Sequence, residues 1–407
     1  MSAAWWLRQA KSLADPASAT AGRLMLERDA ADRVARLRAA ALDRSRQRVR
    51  PSRPRMRALM LKPGGRLDWA AMAAPPAPGP LGAVVHPVAI ATCDMDRPIA
   101  LGATPFLAPL SFGHECVAEV LSVGADVAGV RPGQRVVVPF QINCGTCPPC
   151  RAGHTASCLT VPPASMYGFG ISGGHWGGAV ADELAVPFAD AMLVPFPEEL
   201  DPVAAASVAD NVSDAYRHIG PHLPGLLDQD ADARVLLVGA VSARHLFTAS
   251  VPLYAGLIAQ ALGARDVVLA DCRPEVRRQA LALGLGALTP RDVWRRGPAP
   301  LVADISTTPA GLRFALGLTA ADGICSSSGS LHANARIPTL LMYGRNVTLI
   351  VARAHARALI PEVLELMTDG RLRPGRVTTA VAPFDDAATA LTEHMRGAST
   401  KTIVTAA

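Results

Sequence analysis

Aromatic side chains are scarce in this 407-residue chain, which holds five Trp, four Tyr and nine Phe. Charge is sparse as well, at 18%, while half of the residues are hydrophobic. The core must therefore be built mainly from small and aliphatic side chains. At roughly 150 residues per domain the length points to two domains, at most three, and a core that needs no disulfide staples. No run of ~18 or more uncharged apolar residues is present, which excludes a membrane-spanning helix and a membrane partner. The first residues also lack a short apolar stretch behind basic residues and a small-residue cleavage site, so no secretory leader is expected. A soluble, cytoplasmic, globular protein is the expectation.

Positive charge is missing from most of the chain despite a formal net charge of +6. Residues 1–55 hold 13 of the 40 basic side chains and five of the 34 acids, a net of +8, which leaves −2 for everything after them. A basic balance ordinarily points to nucleic acid or an anionic surface. Here that reading can apply only to the first 55 residues, and nucleic acid is not the expected partner. Within this N-terminal extension Val34, Leu37 and Ala41 recur at helical spacing with Arg on the other faces, and Arg53-Pro54-Arg55 stops the pattern. Three readings stay open for it: a basic arm for an anionic partner, a solvated helix without a role, or sequence upstream of a natural start at Met56.

What the chain does have is clustered cysteine. Of eight cysteines, four stand in Cys144-Gly-Thr-Cys147-Pro-Pro-Cys150 and, after a gap of seven residues, Cys158. Four thiolates at such short spacing can close a tetrahedron round one Zn²⁺ at ~2.3 Å per bond. Gly145, Pro148, Pro149 and Gly153 supply the turns. Two local disulfides are the alternative, disfavoured where thiols stay reduced. All four positions are filled, so this is a structural zinc lobe rather than a reactive centre.

A second constellation lies upstream. Val84 to Ala91 reads as a buried strand and delivers Thr92-Cys93-Asp94-Met95-Asp96 at its end; Gly113-His114-Glu115 opens another apolar run, Val117 to Val123. Cys and His are ligands that zinc prefers, here at strand ends where a cleft would form. Either residue alone reads equally well as an ordinary buried side chain.

Taken in order, Cys-x-x-Asp, Gly-His-Glu, the Gly-x-Arg-Val of residues 133–136 and the four-cysteine lobe resemble the zinc-dependent medium-chain dehydrogenase/reductase superfamily, whose best-known members are alcohol dehydrogenases. The resemblance runs from about Met56 to the C-terminus. It implies an α/β chain with a GroES-like, mostly β catalytic domain over 56–210 and 355–407, carrying the zinc lobe 144–158. A Rossmann domain with a doubly wound parallel sheet would span 211–354. It implies two Zn²⁺ per subunit, an NAD(H) cofactor, a small-molecule substrate and a homo-dimer or homo-tetramer. Carried over by position, Cys93 and His114 ligate the catalytic zinc, Glu115 is a carboxylate near it, and Asp96 orients the ligating histidine. The third ligand falls on Asp210, in Asp210-Asn-Val-Ser-Asp-Ala-Tyr216; a helix N-cap is the other reading of that residue. Ala204 to Ile219 reads as one helix crossing between the domains.

Three departures from the family pattern stand out. Met95 occupies the place of a hydroxyl that relays the substrate proton, which leaves water near Glu115, or Asp94, as the proton route. Asp94 stands where a basic residue can touch cofactor phosphate, and would repel it. Between the strand Arg234 to Gly239 and the strand ending in Asp271, only Gly239 remains of the Gly-x-Gly-x-x-Gly turn that lets a pyrophosphate approach a helix N-terminus. Pro252 falls where the last glycine belongs, before a helix over Leu253 to Leu262, and Ser250 and Arg244 are the substitutes that could contact phosphate. Asp271 at the second strand's end accepts ribose hydroxyls in this family and favours NAD over NADP. Lys401 matches a basic position that reaches the cofactor phosphates. The expected activity is hydride transfer between a nicotinamide cofactor and an alcohol or carbonyl compound. The alternatives are reduction of polarised double bonds on the same fold, and a non-catalytic zinc-binding scaffold that has lost its dinucleotide.

Overall fold

The computed structural model describes residues 54–406 except 105, 107, 171–174, 244 and 330–334. The basic extension and Arg244 lie outside the described residues. Eight strands precede the middle of the chain: β1 (Arg55–Lys62), β2 (Arg66–Ala73), β3 (Ala83–Ala91), β4 (Leu110–Ser111), β5 (Glu115–Val123), β6 (Arg135–Val138), β7 (Leu184–Val186) and β8 (Val194–Pro195). Six more follow as β9 (Val235–Val238), β10 (Val267–Ala270), β11 (Gly286–Leu288), β12 (Ala299–Asp304), β13 (Thr319–Ser327) and β14 (Thr348–Val351); β15 (Ala380–Pro383) and β16 (Thr402–Thr405) close the chain.

The strands sort into three sheets by their hydrophobic patterns. β9, β10 and most of β12 are buried on both faces, as apolar runs sandwiched between helices require. They lie in a six-stranded, wholly parallel sheet of order β11-β10-β9-β12-β13-β14. That order, stepping outward both ways from β9, is the doubly wound arrangement whose ligands bind at the strands' carboxyl ends. A second sheet of order β15-β16-β3-β5-β6-β8, with β7 paired to β3, is mostly antiparallel, and β2-β1-β4 form a small third one. β16 pairs antiparallel with β3, so the last residues of the chain return to the sheet that carries Cys93.

Two cores result. One fills the space between the antiparallel sheets, with Leu59, Leu61, Val85, Ile90, Val136 and Tyr167 fully enclosed. The other packs one face of the parallel sheet against α1 (Asn211–Ile219), α2 (Ser250–Ala261) and α3 (Ala356–Thr368).

The helix expected over 204–219 is broken. A helical turn at Pro202–Ala205 and a 3₁₀ turn at Ala206–Ala209 end at Asp210, whose φ −146°, ψ −79° leaves helical space, and α1 starts afresh at Asn211. The helix expected from Leu253 begins three residues earlier, at Ser250. Pro252 then lies in the first turn, where a missing N–H costs nothing.

A candidate metal centre beside a filled phosphate seat

Cys93 follows β3, and His114 and Glu115 open β5, the strand paired with β3 in the register Ala91 opposite Glu115. Gly113 makes that placement available: its φ of +86° suits glycine, and a Cβ there would stand 2.7 Å from Val180 Cγ2. The break before α1 brings Asp210 in from 117 residues away, with Oδ2 3.4 Å from Cys93 Sγ and 3.3 Å from His114 Nε2. Cys93, His114, Glu115 and Asp210 are all buried and each offers a ligand atom within 4.8 Å of the others'. Asp210 begins α1 without a side-chain bond to its backbone, so its carboxylate serves the cluster and not the helix end.

The donor set fits a divalent cation. His114 Nε2 is buried with no hydrogen-bond partner among the described residues, and orphaned buried nitrogens are rare unless something else satisfies them. Burial pushes the Cys93 thiol well above its usual range, and the neighbouring carboxylates of Asp210, Glu115 and Asp96 push it further. A soft thiolate, an imidazole and a carboxylate are donors of the kind that zinc takes. Phe140 and Phe169 wall the imidazole, with ring centroids 5.9 and 4.8 Å away. Asp96, expected to orient the histidine, accepts the Cys93 N–H at 2.8 Å and fixes the backbone beneath the thiol.

The four-cysteine lobe is the second place that could hold a metal: Cys144, Cys147, Cys150 and Cys158 bring their sulfurs within 4.8 Å of one another. Burial raises the Cys144 thiol, but hydrogen bonds from Thr146, Thr160 and the Cys147 N–H outweigh it and bring the thiol down to about 5. Sulfur held as thiolate is what metal ligation requires. All eight cysteines are free.

Lys401 corrects an expectation. Its ammonium does not reach toward a cofactor; the side chain is 0% exposed and turned inward to both Glu115 oxygens at 3.0 and 3.2 Å, Asn211 Oδ1 at 2.9 Å and the Thr92 carbonyl. The physical reason is the pairing of β16 with β3, which sets Lys401 behind Thr92 and against the buried Glu115. Burial opposes its charge, but Glu115 beside it more than compensates, and its pKa is raised. Asn211 joins the two groups, with Nδ2 donating to Cys93 Sγ at 3.2 Å and Asp210 Oδ2 at 3.1 Å. Sequence reasoning missed Asn211, for which the only signal was its place next to Asp210.

Ser250 is corrected as well. It does not face an open phosphate site, because Asp94 is there. The Asp94 carboxylate accepts the Ser250 and Val251 N–H groups at the start of α2, both at 3.0 Å, and the hydroxyls of Thr248 at 2.5 Å and Ser250 at 2.6 Å. Asp271 is tied up in the same way: Arg273 Nε and Nη2 bond its two oxygens at 2.9 and 2.7 Å, and the Ala240 N–H adds a third bond at 3.0 Å. Gly239 permits this, since a Cβ there would lie 2.4 Å from Asp271 Oδ2. The N–H groups that open α2 are thus already taken by Asp94.

Comparison with known proteins agrees with this architecture. Residues 79–198 match the family described as the alcohol dehydrogenase GroES-like domain. A probable zinc-binding alcohol dehydrogenase of Mycobacterium tuberculosis is 29% identical over 346 residues, 82% of this chain and 84% of that protein. A medium chain reductase/dehydrogenase of an Acremonium species is 32% identical over 238 residues, 54% of this chain and 75% of its own length. Among solved structures, alcohol dehydrogenase TADH from Thermus sp. ATN1 superposes with a TM-score of 0.76 at 28% identity, covering 86% of this chain and all of the other. The sheets of this chain, its two clusters of side chains able to ligate a metal and these relatives together place it in the zinc-dependent medium-chain dehydrogenase/reductase superfamily, to which it belongs.

Proposed function

We propose that the chain is a zinc-dependent, alcohol dehydrogenase-like oxidoreductase that interconverts an alcohol and its carbonyl compound, with a nicotinamide dinucleotide as redox partner. The observation that carries this reading is the convergence of Cys93, His114 and Asp210 with an orphaned, buried His114 Nε2. In this reading those three residues hold the catalytic zinc, and Cys144, Cys147, Cys150 and Cys158 hold a structural one. Zinc at the first site would supply a Lewis acid for the substrate oxygen. The relatives support an alcohol or carbonyl substrate: they include proteins named as formaldehyde, L-galactonate and L-threonine dehydrogenases.

The chain's own residues set the rest. Asn211 orients both the Cys93 sulfur and the Asp210 carboxylate, and Lys401 holds Glu115 in place behind them. Met95 donates only its N–H, to Cys93 Sγ at 3.4 Å, and carries no proton. Of the two proton routes, Asp94 is committed to α2, which leaves water near Glu115. The family position of Asp271, next after β10, favours NAD over NADP, a preference that requires Arg273 to release one of its oxygens.

The free state of all eight cysteines supports a reducing compartment such as the cytoplasm, and no helix among the described residues is long and apolar enough to cross a membrane. A homo-dimer or homo-tetramer is in keeping with the edge of the parallel sheet, where β14 exposes Val351.

A panel of primary and secondary alcohols with NAD⁺, and of aldehydes and ketones with NADH, tests the function. Turnover is expected in wild type and at least about a hundredfold less in Cys93→Ala. Equal turnover in the two proteins would sink the proposal.

A further inference from the structure

The residue after Cys93 does more than fail to attract phosphate. Asp94 comes from the loop that follows β3, yet its nearest partners lie 154 to 157 residues on, at the N-terminus of the first helix of the parallel sheet. It is 6% exposed, and its two oxygens split between two successive backbone N–H groups, Oδ1 on Ser250 and Oδ2 on Val251. Two hydroxyls complete the shell. This is how an oxyanion is received where a helix begins: unpaired N–H groups point outward and the helix dipole favours negative charge. In a doubly wound sheet the same helix end receives the pyrophosphate of a dinucleotide. The anion in that seat is here part of the chain.

The arrangement also spans the two sheets. Ser250 Oγ lies 2.6 Å from Asp94 and 2.9 Å from Asn211 Oδ1, and Asn211 in turn bonds Cys93, Asp210 and Lys401. At the far side of the loop, Arg273 clamps Asp271 and also donates to the Phe247 carbonyl at 2.8 Å, next to Thr248. Loop, helix end and metal cluster thus form one hydrogen-bonded unit with Asp94 at its centre.

We infer that Asp94 is a tethered competitor of the cofactor: its carboxylate occupies the phosphate seat of α2, and a dinucleotide binds only when Asp94 gives that seat up. The inference rests on the proposed use of a nicotinamide dinucleotide. Because the competitor is covalently attached, its effect does not dilute out. Apparent affinity falls by the fraction of molecules in which the seat is open. A basic residue at this position would add to the pull on phosphate; an acid substitutes for the phosphate itself.

The test uses the full-length, zinc-loaded protein and two probes in calorimetric titrations, NADH and inorganic pyrophosphate. Asp94→Ala is expected to bind NADH at least about tenfold more tightly than wild type, and to gain pyrophosphate binding. Asp94→Asn keeps the side chain's shape without its charge and repeats the test if the alanine variant does not fold, as judged by circular dichroism; its gain is expected in the same direction. A gain for pyrophosphate without one for NADH upholds the tethered anion and overturns the cofactor reading. Unchanged affinity for both probes in a folded variant overturns the inference, as does wild type binding NADH as tightly as the variant.

Discussion

Replacing Lys401 by methionine keeps the length of the side chain and removes its charge. In wild type the ammonium is fully enclosed and bonds both Glu115 oxygens, Asn211 Oδ1 and the Thr92 carbonyl, so it ties the last strand to β3, β5 and α1 at one point. Removing one partner of a buried ion pair costs roughly 3–5 kcal/mol, because the other charge is left without compensation. Glu115 can recover part of this by taking up a proton, since burial already pushes its carboxyl well above the usual range. A loss of about 3 kcal/mol at neutral pH is therefore expected for Lys401→Met, read by urea denaturation of zinc-loaded protein. Adding Glu115→Gln should restore about half, because two neutral groups need not be charged to be buried. A loss below about 0.5 kcal/mol in the single variant would refute the argument. A large drop in NADH affinity with stability unchanged would refute it differently, by returning Lys401 to the cofactor phosphates.

Two further predictions concern the parallel sheet. Burial raises the Asp304 carboxyl from 3.8 to about 6, against the opposing bonds from Ser306 and Ser327. Its native form holds a proton that the unfolded chain has released, so its contribution to stability falls as pH rises from about 4 to 6. The full effect is about 3 kcal/mol, of which roughly half develops between pH 5 and 8. Asp304→Asn should gain by that half relative to wild type when urea midpoints are compared at pH 5 and pH 8; a difference independent of pH would contradict it. Gly239→Ala would put a methyl 2.4 Å from Asp271 Oδ2 and break the Ala240 bond, at an expected cost of about 1–3 kcal/mol in the same assay. An alanine variant as stable as wild type would mean that Asp271 is free to move.

The parts of this site that were legible in the sequence are those whose chemistry is written in local spacing. Cys144, Cys147, Cys150 and Cys158 sit within one loop, and their spacing alone suggested the cluster that the fold assembles. Cys93, His114 and Asp210 could be brought together only by adding the resemblance to a family, since one residue comes from 117 positions away. The strands were legible because alternate or continuous burial leaves a pattern, and β9 and β10 fell where apolar runs pointed.

What the sequence hid depends on contacts between distant segments. The polarity of Asp94 and its clash with phosphate were readable; that it would cross to α2 and take the phosphate's place was not, because nothing near Cys93 encodes the helix it caps. Lys401 was misread for a related reason. A lysine near a chain end is normally solvated or free to reach a ligand, and only the β16–β3 pairing shows it enclosed. The break at Asp210 was signalled only by the N-cap reading of that residue; the backbone leaves the helix there and brings one carboxylate to Cys93 and His114.

Metal content per subunit, measured by atomic emission on purified wild type, Cys93→Ala and Cys144→Ala, tests the central claim most directly. Two zinc ions are expected in wild type and one in each variant, with Cys93→Ala as well folded as wild type. A Cys93→Ala protein that keeps the wild-type zinc content would contradict it, because Cys93 would then hold no metal.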